Sequence, residues 1–293
     1  MAKQKMYNAA LVLQGGGTRG AYTAGVIDVL MEEGIDFPYL IGTSAGALNG
    51  VDFLSKDIGR SKFVSTELVC EPKMLSFRNF RKTGNVFNLD YLLYEIPKKR
   101  YPLNEEQFNH SKTRFIVACT SMKDGQAIYF EKGKTDYFLP AVAASSSLPL
   151  VSEIQMVGDE PCLDGGQVAA IPWRKALEDG NEKLVVVMTR PVDYRKKHKM
   201  KAFQRAWAKN RYKKYPEFLK TYFGYNALYN HDMDDLEKLH KEGKVFLIAP
   251  PESLGISNME RNHDTLLKIY ENAMKQTRKI LPDLLKFLGR PNE

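Results

Sequence analysis

Short apolar runs rich in β-branched residues recur along this chain between longer helical patterns, at 9–13, 39–42, 115–120, 184–190 and 245–249. Strands that alternate with helices bury both faces of a sheet, so the pattern predicts an α/β fold with a mainly parallel sheet. The spacing predicts a first helix over about 18–33, with Val26, Val29 and Leu30 on one side and Gly34 placed to end it. A second helix is expected from near Ser44, and a third from near Asp136 that ends before Pro149. No internal repeat or low-complexity tract interrupts the alternation. At 293 residues, 43% of them hydrophobic, the chain is long and apolar enough for a sizeable core, which excludes a disordered protein.

Three cysteines, Cys70, Cys119 and Cys162, are too few and too scattered for a disulfide framework, and none has C-x-x-C spacing. The expectation is a reducing, cytoplasmic setting. The apolar run at 9–13 is too short for a signal-peptide core, and no stretch reaches the roughly 18 to 20 apolar residues of a spanning helix. A soluble protein, at most peripheral to a membrane, is expected.

The chemistry concentrates in three glycine motifs. Gly15-Gly16-Gly17-Thr18-Arg19-Gly20 lies between the first strand and the first helix and fits G-x-G-x-x-G. A dinucleotide site also needs an acidic residue at the end of the second strand, and here that strand runs into Gly42-Thr43-Ser44. A Walker A loop is excluded because Ala21 and Tyr22 follow Gly20. What remains is a loop of backbone N–H groups at a helix N-terminus, a site for negative charge such as an acyl-transfer oxyanion.

The second motif, Gly42-Thr43-Ser44-Ala45-Gly46, is G-x-S-x-G at a strand-to-helix turn, where the glycines let the chain turn sharply and lift the serine hydroxyl. Its alternative is a helix cap with no chemistry. A serine needs a base. The third motif, Asp164-Gly165-Gly166, offers one, although an aspartate beside two glycines also makes an ordinary turn.

Together, the Gly-rich loop with Arg19, G-T-S-A-G, and Asp-Gly-Gly downstream resemble the patatin-like phospholipases, with Ala143–Pro149 resembling the stretch those enzymes carry between their catalytic residues. The resemblance covers about 8–190 and implies a three-layer α/β/α sandwich and a lipid acyl hydrolase with a Ser-Asp dyad. By position it implies Ser44 as nucleophile, Asp164 as general base, the amides of Gly15, Gly16 and Gly17 as oxyanion hole, and Arg19 as support for that loop, with no cofactor or metal. Gln14 stands where some members carry an acid, and Asp-Gly-Gly where others have Asp-Gly-Ala. The implied substrate is a phospholipid or another lipid acyl ester. A dyad base must be desolvated, because a carboxylate with a pKa of about 3.9 is weak toward a hydroxyl; Asp164 is therefore expected partly buried and within hydrogen-bond reach of Ser44.

The competing mechanism is a Ser-His-Asp triad. His110 precedes Asp164; His198, His231, His240 and His263 follow it, and His263 is the best placed of them. Two other classes remain: a non-catalytic lipid-binding module that kept the motifs, and a dinucleotide-dependent oxidoreductase.

The net charge of +8 is local. Ten Lys and Arg and no acid fall in 195–214, and the rest of the chain holds 33 basic against 35 acidic residues. A soft boundary is expected near 191, between a catalytic domain at 8–190 and a mostly helical extension at 191–293 whose strand at 245–249 could rejoin the sheet. Met200, Phe203 and Trp207 fall on one helical stripe opposite Lys201, Arg205 and Lys209. That stripe either packs on the core or meets an anionic membrane. No nucleic-acid motif accompanies the charge.

Overall fold

The computed structural model describes residues 4–197 and 200–291. Its strands are β1 (Lys5–Met6), β2 (Ala10–Leu13), β3 (Ile35–Asp36), β4 (Tyr39–Thr43), β5 (Arg114–Ser121), β6 (Ala127–Glu131), β7 (Gln155–Val157), β8 (Glu160–Asp164), β9 (Leu184–Val187) and β10 (Val245–Ile248). Its helices are α1 (Gly20–Glu32), α2 (Ala45–Ser55), α3 (Arg60–Lys62), α4 (Phe77–Thr83), α5 (Ile96–Lys99), α6 (Glu105–His110), α7 (Phe138–Ser145), α8 (Trp173–Glu178), α9 (Ala202–Arg211), α10 (Pro216–Lys241) and α11 (His263–Leu288).

The main sheet runs β10-β9-β2-β4-β5-β8-β7, with β6 also on β5, while β1 and β3 form a separate short parallel pair. The strands from β10 to β5 are parallel, and β6, β8 and β7 are antiparallel additions. Because side chains alternate along a strand, each parallel strand supplies two cores. Leu11, Leu13, Leu40, Val185 and Val187 pack with α1, α2, α7 and α11 on one face. Ala10, Val12, Ile41 and Val186 pack with Trp173 and Ala176 of α8 and with Tyr229, Met233 and Leu236 of α10 on the other. Burying each such Leu or Val contributes about 1.5–3 kcal/mol. The result is the expected three layers.

The structure differs from the sequence reading in several places. The antiparallel strands β6 and β7 carry short, partly exposed patterns that give no clear periodicity, and β8, though buried, is broken by Pro161 and bounded by Glu160 and Asp164. The run at 184–190 leaves the sheet after Val187, where Arg190 and Pro191 turn the chain away. Beyond 191, in keeping with the return of the strand at 245–249, β10 extends the sheet in parallel on β9, and Leu266, Ile269 and Ala273 of α11 join the core cluster that includes α1. The segment 195–214 is described apart from residues 198 and 199, so His198 lies outside the described residues. In α9 the buried positions are Ala208 and the following Tyr212, whose hydroxyl accepts the Leu150 amide at 2.7 Å. That contact rotates the expected stripe away from the core, leaving Phe203 65% and Trp207 40% exposed. No helix among the described residues is long and apolar enough to cross a membrane.

Candidate active site

Ser44 occupies the turn between β4 and α2 with φ 55° and ψ −125°, a conformation that L-residues rarely adopt and that stores strain. The turn closes because α2 begins against the end of β2: a side chain on Gly46 would strike the Leu13 carbonyl, and one on Gly42 would strike Gly46. Within this turn the Ser44 amide donates to Ser145 Oγ at 2.8 Å, and the Ser44 hydroxyl donates to Asp164 Oδ2 at 2.7 Å.

Asp164 ends β8, on the antiparallel side of β5, so the sheet itself brings together residues 120 positions apart. Its backbone is pinned on both sides, its amide donating to Ser147 O at 2.9 Å and its carbonyl accepting from Thr120 Oγ1 at 2.8 Å. Its other carboxylate oxygen accepts the Gly166 amide at 2.6 Å, and Gly165 packs where a side chain would strike Ala118 O. Ser44 and Asp164 are 5% and 2% exposed. Burial pushes the Asp164 carboxyl up to about 6, against the opposing pull of the Ser44 and Gly166 hydrogen bonds and of the Lys196 charge. A carboxylate held this way is a better base toward a hydroxyl than one in water.

Among the described residues, no histidine contacts this pair. His110 bonds the Glu106 carbonyl, His240 the Val245 carbonyl, and His263 its neighbour Asp264, while His231 lies at the surface beside Asp235.

The glycine loop leads from β2 to α1 beside Ser44. Gly15 donates its N–H to Ala170 O at 3.0 Å, so that amide closes the loop and is not open to a ligand. The N–H groups of Gly16 and Gly17 make no hydrogen bond among the described residues. Gly17 has φ 57°, and a side chain there would strike Asn258. Thr18 ties the loop to the same C-terminal segment: its amide donates to Asn258 O at 3.1 Å and its hydroxyl accepts the Glu260 amide at 2.9 Å. Gly20 starts α1 pressed against Ala45. Arg19 does not brace the loop as expected. Its guanidinium makes no hydrogen bond among the described residues and instead lines a cavity, held down to about 10 by burial and by Arg190. Gln14 bridges outward, accepting the Thr189 amide at 2.7 Å and donating to Tyr229 Oη at 3.3 Å.

Two cavities meet at Ser44, and both are bounded by Gly17 and Leu148. One, about 70 Å³, is walled by apolar residues that include Leu48, Val69, Met74, Phe87 and Leu89. Several of these come from the segment 53–107, whose short helices roof that side. A further 190 Å³ adjoins it through Leu48, Asp52, Val64 and Leu92. The other cavity, about 470 Å³, holds Asp164, Gly16, Arg19, Arg190 and Lys196.

Two contributors escaped the sequence reading. Ser145 lies in the stretch singled out by resemblance, but nothing in its spacing announces a bond to the Ser44 amide. Lys196 belongs to the basic segment 195–214, whose charges are expected at solvent or at an anionic membrane, yet it turns inward between the rings of Tyr225 and Tyr229, 4.4 and 4.3 Å from their centroids. Tyr222, Tyr225 and Tyr229, at i, i+3 and i+7 of α10, were the available signal.

Comparison with known proteins supplies the family. The profile of the patatin-like phospholipases matches residues 11–177, and that of a domain of unknown function (DUF6363) matches 215–289. The uncharacterized protein YjjU of Escherichia coli (strain K12) is 33% identical over 189 residues, 62% of this chain and 52% of that protein, so the match spans about half of the relative's length. In shape, the chain is similar to VipD from Legionella pneumophila, with a TM-score of 0.53 over 94% of this chain and 67% of that one, at 15% identity, a likeness of fold alone. With more than half of its length matched by the family profile, this chain belongs to the patatin-like phospholipases, a family of lipid hydrolases.

Proposed function

We propose that the chain is a serine lipid acyl hydrolase that works with a Ser44–Asp164 dyad through an acyl-enzyme. The observation that carries this reading is the 2.7 Å bond from the Ser44 hydroxyl to a buried Asp164, on a strained turn and with no histidine in contact among the described residues. Asp164 takes the hydroxyl proton as Ser44 Oγ attacks the ester carbonyl. The carbonyl oxygen becomes an oxyanion held by the amides of Gly16 and Gly17, Gly15 serving only to close the loop. Collapse breaks the bond to the leaving oxygen, which receives the proton from Asp164 and departs as an alcohol or lysophospholipid. Water then gives its proton to Asp164, attacks the acyl-enzyme and releases the fatty acid.

The apolar cavity suits the acyl chain, the segment 53–107 serving as its roof. Exposed Phe203 and Trp207 beside Lys201, Arg205 and Lys209 support peripheral contact with an anionic membrane through 195–214. The division near residue 190 is one of roles, catalytic residues before it and cavity wall and membrane contact after it. The oxidoreductase reading loses ground because the glycine loop opens on Ser44 and Asp164 instead of on an acid at the end of β4.

The test is hydrolysis of a short-chain p-nitrophenyl ester by the native protein, Ser44→Ala and Asp164→Asn. Losses of at least about 1,000-fold in both variants are expected. Equal rates in all three proteins would leave only a lipid-binding module.

A further inference from the structure

We propose that the larger cavity beside Ser44 is a subsite for the phosphate of an anionic leaving group, held by Arg190 and Lys196, residues outside the segment that matches the patatin-like family. The proposal rests on the hydrolase reading and specifies which half of the substrate each cavity takes.

Charge is the first argument. Arg19, Arg190 and Lys196 face this cavity, with Asp164 as the only carboxylate on its wall among the described residues. Among the described residues, none of the three cations makes a salt bridge, whereas Arg195, next to Lys196 in sequence, pairs with Asp234 and Glu237. Three cations in one partly desolvated space repel one another, and a bound anion relieves that cost. The Lys196 ammonium is depressed to about 7, first by burial and then by Arg19 and Arg190, against the pull of Asp164.

Preorganisation is the second. The backbone of Lys196 is fixed by reciprocal bonds with Asn230 of α10, its amide donating to Asn230 Oδ1 at 2.7 Å and its carbonyl accepting Asn230 Nδ2 at 3.1 Å. Its ammonium is held between Tyr225 and Tyr229, and the Arg190 guanidinium stacks on Tyr194 with 4.5 Å to the ring centroid. Little side-chain entropy is left to lose on binding. The donors line the same cavity as Ser44 and Asp164.

Partition is the third. The cavities on the two sides of Ser44 differ in kind, one walled by aliphatic and aromatic carbons, the other by cations and tyrosines. An ester carbonyl at Ser44 therefore sends its acyl chain into the first and its alcohol into the second. About 470 Å³ lies within the usual size of a small-molecule site and takes a glycerophosphate group with water around it. A phosphate diester or monoester on that alcohol meets two or three charge-assisted donors.

The experiment compares kcat/KM for lysophosphatidylglycerol and for a monoacylglycerol of the same chain length in the native protein, Arg190→Gln, Lys196→Gln and the double variant. The ratio of anionic to uncharged substrate should fall at least about ten-fold in the double variant. A ratio that does not move overturns the proposal. Competition in the native protein, which needs no variant to fold, uses p-nitrophenyl butyrate as reporter. Glycerophosphoglycerol should inhibit at least about ten-fold more strongly than uncharged diglycerol or inorganic phosphate. Equal inhibition by diglycerol removes the charge preference, and equal inhibition by inorganic phosphate makes the cavity a free-phosphate site instead; either result sinks the leaving-group assignment. Binding of glycerophosphoglycerol to Ser44→Ala by calorimetry separates the two levels of the argument. If Ser44→Ala still hydrolyses the reporter at the native rate, the hydrolase reading fails, while binding that weakens with Lys196→Gln still supports the subsite.

Discussion

Ser145 holds Ser44 from behind: its hydroxyl donates to Ala118 O at 2.6 Å and accepts the Ser44 amide at 2.8 Å, so one buried side chain links β5 to the strained turn. Among the described residues, Ser145 Oγ is the one hydrogen-bond partner of the Ser44 amide. Replacing Ser145 with alanine strands a buried donor and acceptor and should cost about 1–3 kcal/mol of stability. The expected kinetic signature is a fall of about ten-fold in kcat with little change in KM, measured beside a denaturant melt. Loss of stability with native kcat would show that the turn keeps its shape without this contact.

Activity should rise with pH through about 6, the value to which burial pushes Asp164, because only the carboxylate accepts the Ser44 proton. Stability should move the other way. The native carboxyl binds its proton more tightly than an unfolded aspartate near 3.9, so between about pH 4 and 6 the native state holds more protons and its stability falls as pH rises. The full difference is on the order of 3 kcal/mol. Asp164 faces Lys196, with Arg19 and Arg190 on the same cavity, and these cations temper the effect. A pH–rate profile with a soluble ester and melts over the same range check both slopes.

Asp164→Asn should therefore be inactive yet more stable than the native protein at pH 8. The amide keeps the shape, accepts the Gly166 N–H and bonds Ser44 without a buried charge. The melting temperature should rise by about 5 °C at pH 8, with the gap closing toward pH 5. A lower melting temperature at pH 8 would mean that the carboxylate is better compensated than its burial implies.

Gly17→Ala should impair catalysis and folding together. It forces a side chain into φ 57° and against Asn258, beside one of the two open amides of the loop. Losing one oxyanion donor typically costs about 100- to 1,000-fold in rate, and the strained backbone adds about 1–3 kcal/mol of instability. Gly15→Ala acts by another route: its amide is already spent on Ala170, but the added methyl meets Ser44 Cβ at 3.1 Å, so a rate loss there reports crowding of Ser44 and not a lost donor.

Membrane contact through α9 is tested with vesicles. Converting Lys201, Arg205 and Lys209 to glutamate should weaken partition onto phosphatidylglycerol vesicles by at least about ten-fold, each basic group near such a surface being worth about 1 kcal/mol. Unchanged partition would make this face a solvated one, with Phe203 and Trp207 exposed for another reason.

The parallel core was legible because each of its strands is an unbroken apolar run between helices, and the turn at Ser44 because glycine at 42 and 46 has few other uses. Asp164 was legible only beside the other two motifs, since an Asp-Gly-Gly alone is also a turn. Among the antiparallel strands, β6 and β7 were hidden by their partial exposure and β8 by Pro161 and its acidic ends. Helical periodicity gave the stripe of α9 but left open which way it faces, and distant partners decided that and the inward turn of Lys196: Tyr212 with Leu150 and Lys196 with α10. Gly15 looked equivalent to its neighbours until Ala170, 155 residues later, took its amide.

The hold of residues 257–260 on Thr18 has a consequence for biosynthesis. Ser44 and Asp164 leave the ribosome well before Asn258 does, and the strands that carry them can pair as soon as both have emerged. Until the later segment arrives, the glycine loop lacks the carbonyl that fixes the Thr18 amide, and β9 lacks its outer neighbour β10. On the proposed mechanism, a chain that has not yet reached Asn258 would carry Ser44 and Asp164 without the bond that fixes the loop beside them.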